Sequence, residues 1–288
     1  MSERYANGWA VPRPTTLHEA TRDDQVREIP ASRLLREPPR RNWMVENVFL
    51  RSTVAMITGD GGKGKSLLMQ QLCTSAVMGF DWLGMKLQRG KALFFACEDD
   101  GDELHRRQWS INQALGCSME DVCEAGLELV PRVGQDNALM TLERKSWRMR
   151  KSDSGLLDGL VKRCATHGIQ YLIIDTATKT FRGNQNDDTM VDDYITEFRK
   201  IAVMMQGIVI FTKHPSMNGR ALGTGESGSV AWVNSVRAYL YLHAEKPDGL
   251  VLEGRKANYG PNAPKIPLRW DRGVFNVAEA APPARWTD

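Results

Sequence analysis

The sequence predicts an α/β fold in which a mainly parallel twisted sheet carries helices on both faces and ends in a C-terminal antiparallel extension. From residue 53 to residue 212, short apolar runs of buried-strand type alternate with segments whose apolar residues recur every three to four positions. The first run, 53–58 (TVAMIT), leads straight into a glycine loop and then a helical segment. Beyond residue 212 the chain turns strand-rich, which adds the antiparallel part.

Residues 1–42 are expected to form an N-terminal arm or linker. Residues 1–30 mix polar and charged side chains with little periodicity, and Pro30 and Pro38-Pro39 continue that irregular character. A flexible tail and an arm that docks replication partners both fit this composition. Apolar residues thicken from Trp43. After strand 53–58 comes a helix whose Leu68, Met69, Leu72, Cys73, Ala76 and Val77 follow the spacing of a packed face. Strand and helix then repeat as strand 92–97, helix 102–115, strand 127–130, helix 156–166 and strand 171–175. A helix over 188–206 shows an apolar stripe through Met190, Tyr194, Phe198, Ile201 and Met205, and strand 208–212 follows it. The core is thus expected to span 43–277, with 278–288 (AEAAPPARWTD from Ala278) as a loose tail.

Bulk properties narrow the function classes. With 288 residues and 42% hydrophobic content, the chain suits one large α/β domain. Its longest apolar runs, such as 208–211, are far too short to cross a bilayer, and the polar N-terminus lacks a signal-peptide core, so no membrane partner and a cytoplasmic location are expected. Five cysteines without a CxxC pair suggest reduced thiols, not a disulfide framework or zinc ribbon. A formal charge of +3 gives little global attraction for polyanions, so any polyanion must be held by local loops.

Residues 59–66 read GDGGKGKS. Gly59, Gly62 and Gly64 permit conformations that turn successive amide hydrogens inward, while the following helix presents its N-terminus to the same point. With Gly61, Lys63 and Leu67 they form the expected triphosphate cradle. Lys65 would reach the β- and γ-phosphates, and Ser66 would ligate Mg2+. Lys63 is a less usual occupant, which either adds charge near the phosphates or points to solvent.

Strand 92–97 ends in Glu98-Asp99-Asp100, so a carboxylate emerges at the sheet edge where open α/β sheets bind ligands. Glu98 is the expected general base for an attacking water. Strand 171–174 ends in Asp175, an apolar run followed by an acid that supports magnesium. A GTPase base-reading NKxD segment is absent, which favours ATP. Two polar, glycine-bearing stretches, 178–188 and 215–228, are too long for tight turns and read as functional loops.

Taken in order, RNWMV, GDGGKGKS, ACEDD with ELHRR, YLIIDT, VIFTKHPS, GSVAWVNSVRAYLYL and RKANYG make residues 43–271 resemble the RecA-like P-loop NTPases. Within these the resemblance is nearest to the RepA-type hexameric replicative DNA helicases of plasmids and phages. It implies a RecA-like core, with Lys65 and Ser66 at phosphate and magnesium, Glu98 as base and Asp175 as the second acidic motif. His214 would sense the γ-phosphate, although Lys213-His214 stands where the plasmid helicases have two adjacent histidines. Arg237 would be the arginine finger given to a neighbour's ATP, with Arg255 and Lys256 as second candidates. Arg107 and Tyr259 would flank adenine.

The same resemblance turns the two loops toward the channel of a homo-oligomeric ring, expected to be a hexamer. It suggests Lys179, Arg182 and Arg220 as contacts to single-stranded DNA, with Phe181 either stacking a base or anchoring its loop. The leading expectation is an ATP-dependent helicase or translocase. A protein that anneals or loads single strands without unwinding, and a nucleotide-switched regulatory module, remain open alternatives at this point.

Overall fold

A computed structural model describes residues 28–145, 148–153, 155–221, 223–225, 228–245, 249–259 and 265–278. In chain order the elements are α1 (Ala31–Leu34), β1 (Trp43–Val45), β2 (Phe49–Leu50), β3 (Thr53–Gly59), α2 (Lys65–Met78), β4 (Lys91–Ala96), α3 (Gly101–Leu115), α4 (Met119–Glu124) and β5 (Leu127–Pro131). There follow β6 (Met140–Lys145), β7 (Arg148–Asp153), α5 (Leu156–His167), β8 (Ile169–Asp175), α6 (Ala177–Thr180), β9 (Phe181–Arg182), α7 (Asp188–Met204) and β10 (Ile208–Lys213). Last come α8 (Met217–Ala221), α9 (Ala231–Asn234), β11 (Ala238–Glu245), β12 (Gly249–Ala257), β13 (Lys265–Asp271) and β14 (Val274–Val277).

The main sheet has nine strands in the order β14-β13-β12-β11-β3-β10-β8-β4-β5. From β11 to β5 every neighbour is parallel, and β12, β13 and β14 extend the sheet antiparallel. The expected mixed architecture is the observed one. Strand alternation divides the core in two. Val54 and Met56 of β3 join the cluster under α5, α7 and α9, whereas Ala55 and Ile57 join the cluster under α2, α3 and α4. β10 splits likewise, with Val209 and Phe211 on one face and Ile208 and Ile210 on the other. Helices must therefore cover both sides, as the unbroken apolar strands anticipate.

The structure corrects several expectations. α2 is buried well beyond one apolar stripe: Gln70, Gln71, Thr74 and Ser75 are buried along with Leu68 and Leu72. The sheet covers one side of it, and α3 and β14 pack on others. The stretch 178–188 is partly ordered as α6 and β9, and 215–228 contains α8. β9 pairs with β6 in a separate sheet of order β7-β6-β9, which no strand expected from sequence anticipated. Residues 140–153 (MTLERK and RMRKSD flanking two residues) carry too many charges to read as strands.

At the N-terminus, 28–42 are exposed throughout, while the rest of the expected docking arm, 1–27, lies outside the described residues. All five cysteines are free thiols. No helix among the described residues is long and apolar enough to cross a membrane.

Candidate nucleotide-binding site

β3 is buried along its whole length and delivers Gly59 to the C-terminal edge of the sheet. Gly62 (φ 71°) and Gly64 (φ 87°) take left-handed backbone conformations, and Gly64 caps α2 without a side-chain hydrogen bond at that end. The first amides of this 14-residue helix thus face the loop with no capping side chain from within the helix start. Gly64 is also required by contact, because a Cβ there would stand 2.5 Å from the Phe275 ring. Phe275 is held in place by Gln71, whose Nε2 donates to Phe275 O (2.8 Å) while its Oε1 accepts from Phe275 N (3.1 Å). That bond pair joins positions 204 apart in sequence, and nothing in the local pattern announces it.

Lys65 is 5% exposed and folds back over the loop. Its Nζ donates to Gly59 O (2.7 Å) and Asp60 O (3.0 Å) and lies 3.3 Å from His214 Nδ1. The expected sensor and the expected phosphate lysine therefore meet, through the adjacency of β3 and β10. Gly61 and Gly62 are exposed and Lys63, Ser66 and Leu67 half-buried along the same turn.

Asp175 ends β8 and is 2% exposed. The hydroxyls of Thr212 and Ser66 donate to its carboxylate. Burial raises its pKa, the Ser66 and Thr212 bonds lower it, and the carboxylates of Asp99 and Glu98 add to the rise. A buried acid beside a serine hydroxyl and near two further carboxylates is a hard oxygen donor set that suits Mg2+ completed by water and phosphate. Thr212 was missed from sequence. Its position inside VIFTKHPS, on a strand adjoining the acidic one, is the signal that could have found it.

Glu98 is exposed just past the end of β4, close enough to Asp175 to influence its ionisation. Cys97 N donates to Asp175 O (2.7 Å), which locks the two acidic strand ends together. Asp100 caps α3 by accepting from Glu103 N (2.8 Å). Arg107, one turn on, is ion-paired with Asp99 (2.9 Å) and Glu103 (3.4 Å). Lys65, Ser66, Glu98, Asp175 and His214 are thus gathered at one edge by the ends of β3, β4, β8 and β10.

Arg237 and Tyr259 are not at that edge. Arg237 N donates to Val54 O (2.9 Å) beside the start of β3, and its guanidinium lies 6.0 Å from the Tyr259 ring centroid. Six steps of strand from Thr53 to Gly59 separate this end from the phosphate loop by about 20 Å. Arg107 and Tyr259 therefore do not enclose one adenine within a chain, because β12 runs antiparallel to β11 and carries Tyr259 back to the strand starts. Lys256 donates to Val233 O (2.8 Å) and Asn234 O (2.9 Å), which caps the end of α9. Arg255 pairs with Glu253 (2.9 Å), donates to Gly223 O (3.0 Å) and lies over Tyr241 (5.6 Å). Both second candidates for a finger are engaged in holding their own chain.

Of the expected DNA contacts, Lys179 is exposed on α6 and Arg182 is exposed on β9, ion-paired to Asp136 at 3.0 Å. Phe181 is 4% exposed and packs on Tyr194 and Trp232, so it anchors its loop and presents no ring for a base. Arg220 falls in α8, and its side chain lies outside the described residues.

A family model described as an AAA domain matches residues 20–220, a span that holds the phosphate loop, both acidic strand ends and His214. That match covers well over half of the chain and agrees with the geometry of the edge just described, so the chain belongs to the AAA-domain family of P-loop ATPases.

Proposed function

We propose that this ATPase is a ring-forming motor that uses ATP and Mg2+ to move along single-stranded DNA and separate strands, as a replicative helicase does. The observation that carries the reading is the position of Arg237. It stands over Tyr259 at the edge of the sheet opposite its own phosphate loop, where it serves a nucleotide only if that nucleotide belongs to an adjacent copy. An arginine given in trans makes hydrolysis depend on assembly.

Within one site, the loop amides and Lys65 hold the triphosphate, and Lys65 exchanges its bonds to Gly59 O and Asp60 O for phosphate oxygens. Mg2+, held by Ser66 with Asp175 behind it, would neutralise charge on the phosphates. Glu98 accepts a proton from water as the water oxygen bonds to the γ-phosphorus. The bond from that phosphorus to the β–γ bridging oxygen breaks, and ADP and phosphate leave. His214, beside Lys65, loses its contact when the γ-phosphate departs. The exposed cations Lys179 and Arg182 support a DNA contact of modest strength per subunit, multiplied around a ring.

The test is strand displacement from a forked duplex by protein whose oligomeric state with ATP and single-stranded DNA has been established by native mass. A confirmed oligomer that hydrolyses ATP without displacing strands refutes the helicase reading, and annealing in the same assay identifies a loader.

A further inference from the structure

Lysine is almost never fully buried without a partner, yet Lys213, at the end of β10, is 2% exposed. Its Nζ donates to Gln185 Oε1 (2.5 Å) and lies 4.5 Å from the centroid of the Trp232 ring. The Gln185 carbonyl in turn accepts from Ser229 N (3.1 Å) and Trp232 Nε1 (3.2 Å). Gly228 lies so near that carbonyl that a Cβ would stand 2.8 Å from it, and Ser229 Oγ donates to Asp188. Stretch 178–188, the entry to α9 and the end of β10 are therefore joined at one partly buried knot. On either side of Lys213, Thr212 donates to Asp175 and His214 meets Lys65.

A methionine would fill this volume without the desolvation an ammonium suffers, and burial does push the Lys213 pKa down to about 8. What the ammonium adds is direction: a charge-assisted bond to one acceptor and a fixed seat on one ring. Successive residues of a strand point to opposite faces, so a displacement that reaches His214 on the nucleotide side moves Lys213 on the other.

We propose that Lys213 is a positioning residue that ties the γ-phosphate sensor to stretch 178–188 through Gln185 and to α9 through Trp232. Order in 178–188 then follows whether a γ-phosphate is bound. This rests on the nucleotide site and is independent of what the stretch contacts.

The experiment first measures affinities for ADP and for a non-hydrolysable ATP analogue with Mg2+, then amide hydrogen exchange across 178–188 in both states. It compares the wild type with Lys213→Met, Lys213→Arg and Gln185→Ala. The wild type is expected to differ between the two states by about ten-fold in exchange, the scale of one hydrogen bond to a charged group. Lys213→Met and Gln185→Ala should bring that ratio close to one and lower kcat while leaving KM and nucleotide affinity near wild type, and Lys213→Arg should restore part of it. A wild-type ratio of one, or a Lys213→Met ratio equal to wild type, overturns the proposal. If Lys213→Met does not fold, Gln185→Ala decides alone, since it removes the acceptor side chain and keeps the backbone bonds. A wild type that binds neither nucleotide is a different result, which rejects the nucleotide site itself.

Discussion

Burial raises the pKa of Asp175 while the hydroxyls of Ser66 and Thr212 pull it back, and the sign of the balance has consequences for stability. A carboxyl with a folded pKa above its unfolded value binds more protons when folded, so stability falls as pH rises from about 3.8 through the folded value. The cost persists at neutral pH until a cation offsets it. Asp175→Asn keeps an acceptor for Thr212 and removes the charge. We expect it to raise Tm in metal-free neutral buffer, by roughly 2–4 °C for each kcal/mol relieved, and to abolish the extra stabilisation that Mg2+ gives with nucleotide. Melts showing equal magnesium dependence in wild type and variant would remove Asp175 from the metal site. Glu98 makes the complementary case, because it is exposed and free to meet water. Glu98→Gln should bind ATP normally and turn over about 10² to 10⁴ times more slowly, the usual contribution of a general base. Unchanged turnover would assign the base elsewhere. Both acids were legible as residues because each ends an apolar run. Thr212 was not, since its role comes from the strand beside it.

At the scale of elements, what could be read was whatever a strand or helix announces by its own periodicity. Five of the six parallel strands and α7 were visible that way; the sixth, β11, lies in the stretch read as antiparallel, yet it pairs parallel with β3. The hairpin of β6 and β7 was hidden by its charges, and β9 by its two-residue length. The distance of Tyr259 from its own phosphate loop was hidden for a related reason: its block can be recognised in sequence, but the direction of β12 decides which edge it reaches. The C-terminal hairpin supplies a further long-range constraint, because β14 closes over the start of α2 through Phe275. Gly62 and Gly64 separate the two reasons for a glycine in this loop. Both need positive φ, but only Gly64 is crowded, since a Cβ at Gly62 would meet nothing within 4 Å. Gly62→Ala should therefore cost about 1–2 kcal/mol, the left-handed backbone penalty alone. Gly64→Ala should cost about 1–3 kcal/mol more, from displacement of Phe275. Denaturant titration of the two variants measures the difference, and equal losses would mean that β14 does not brace the loop.

The whole molecule presents the phosphate loop at one edge of the sheet and Arg237 with Tyr259 at the other, the polarity a head-to-tail ring needs. In the ring proposed above, a heterologous interface that brings these edges together would complete each site with a residue from the next copy, and it makes a sharp prediction about mixtures. Arg237→Ala keeps an intact phosphate loop but offers its neighbour no finger. Lys65→Ala cannot hold a triphosphate productively but still offers one. Each variant alone should be nearly inactive, with a loss of about 10³ or more expected for the missing finger. Mixed in equal amounts and allowed to exchange subunits, they should regain ATPase activity, because roughly a quarter of the interfaces then pair an intact loop with an intact arginine. Activity that stays at the level of the separate variants, in a sample that native mass shows to contain mixed oligomers, would mean that Arg237 does not reach its neighbour's nucleotide. Recovery would instead fix which edge meets which, because no arrangement within a single chain can bring Arg237 across the length of β3 to its own Lys65.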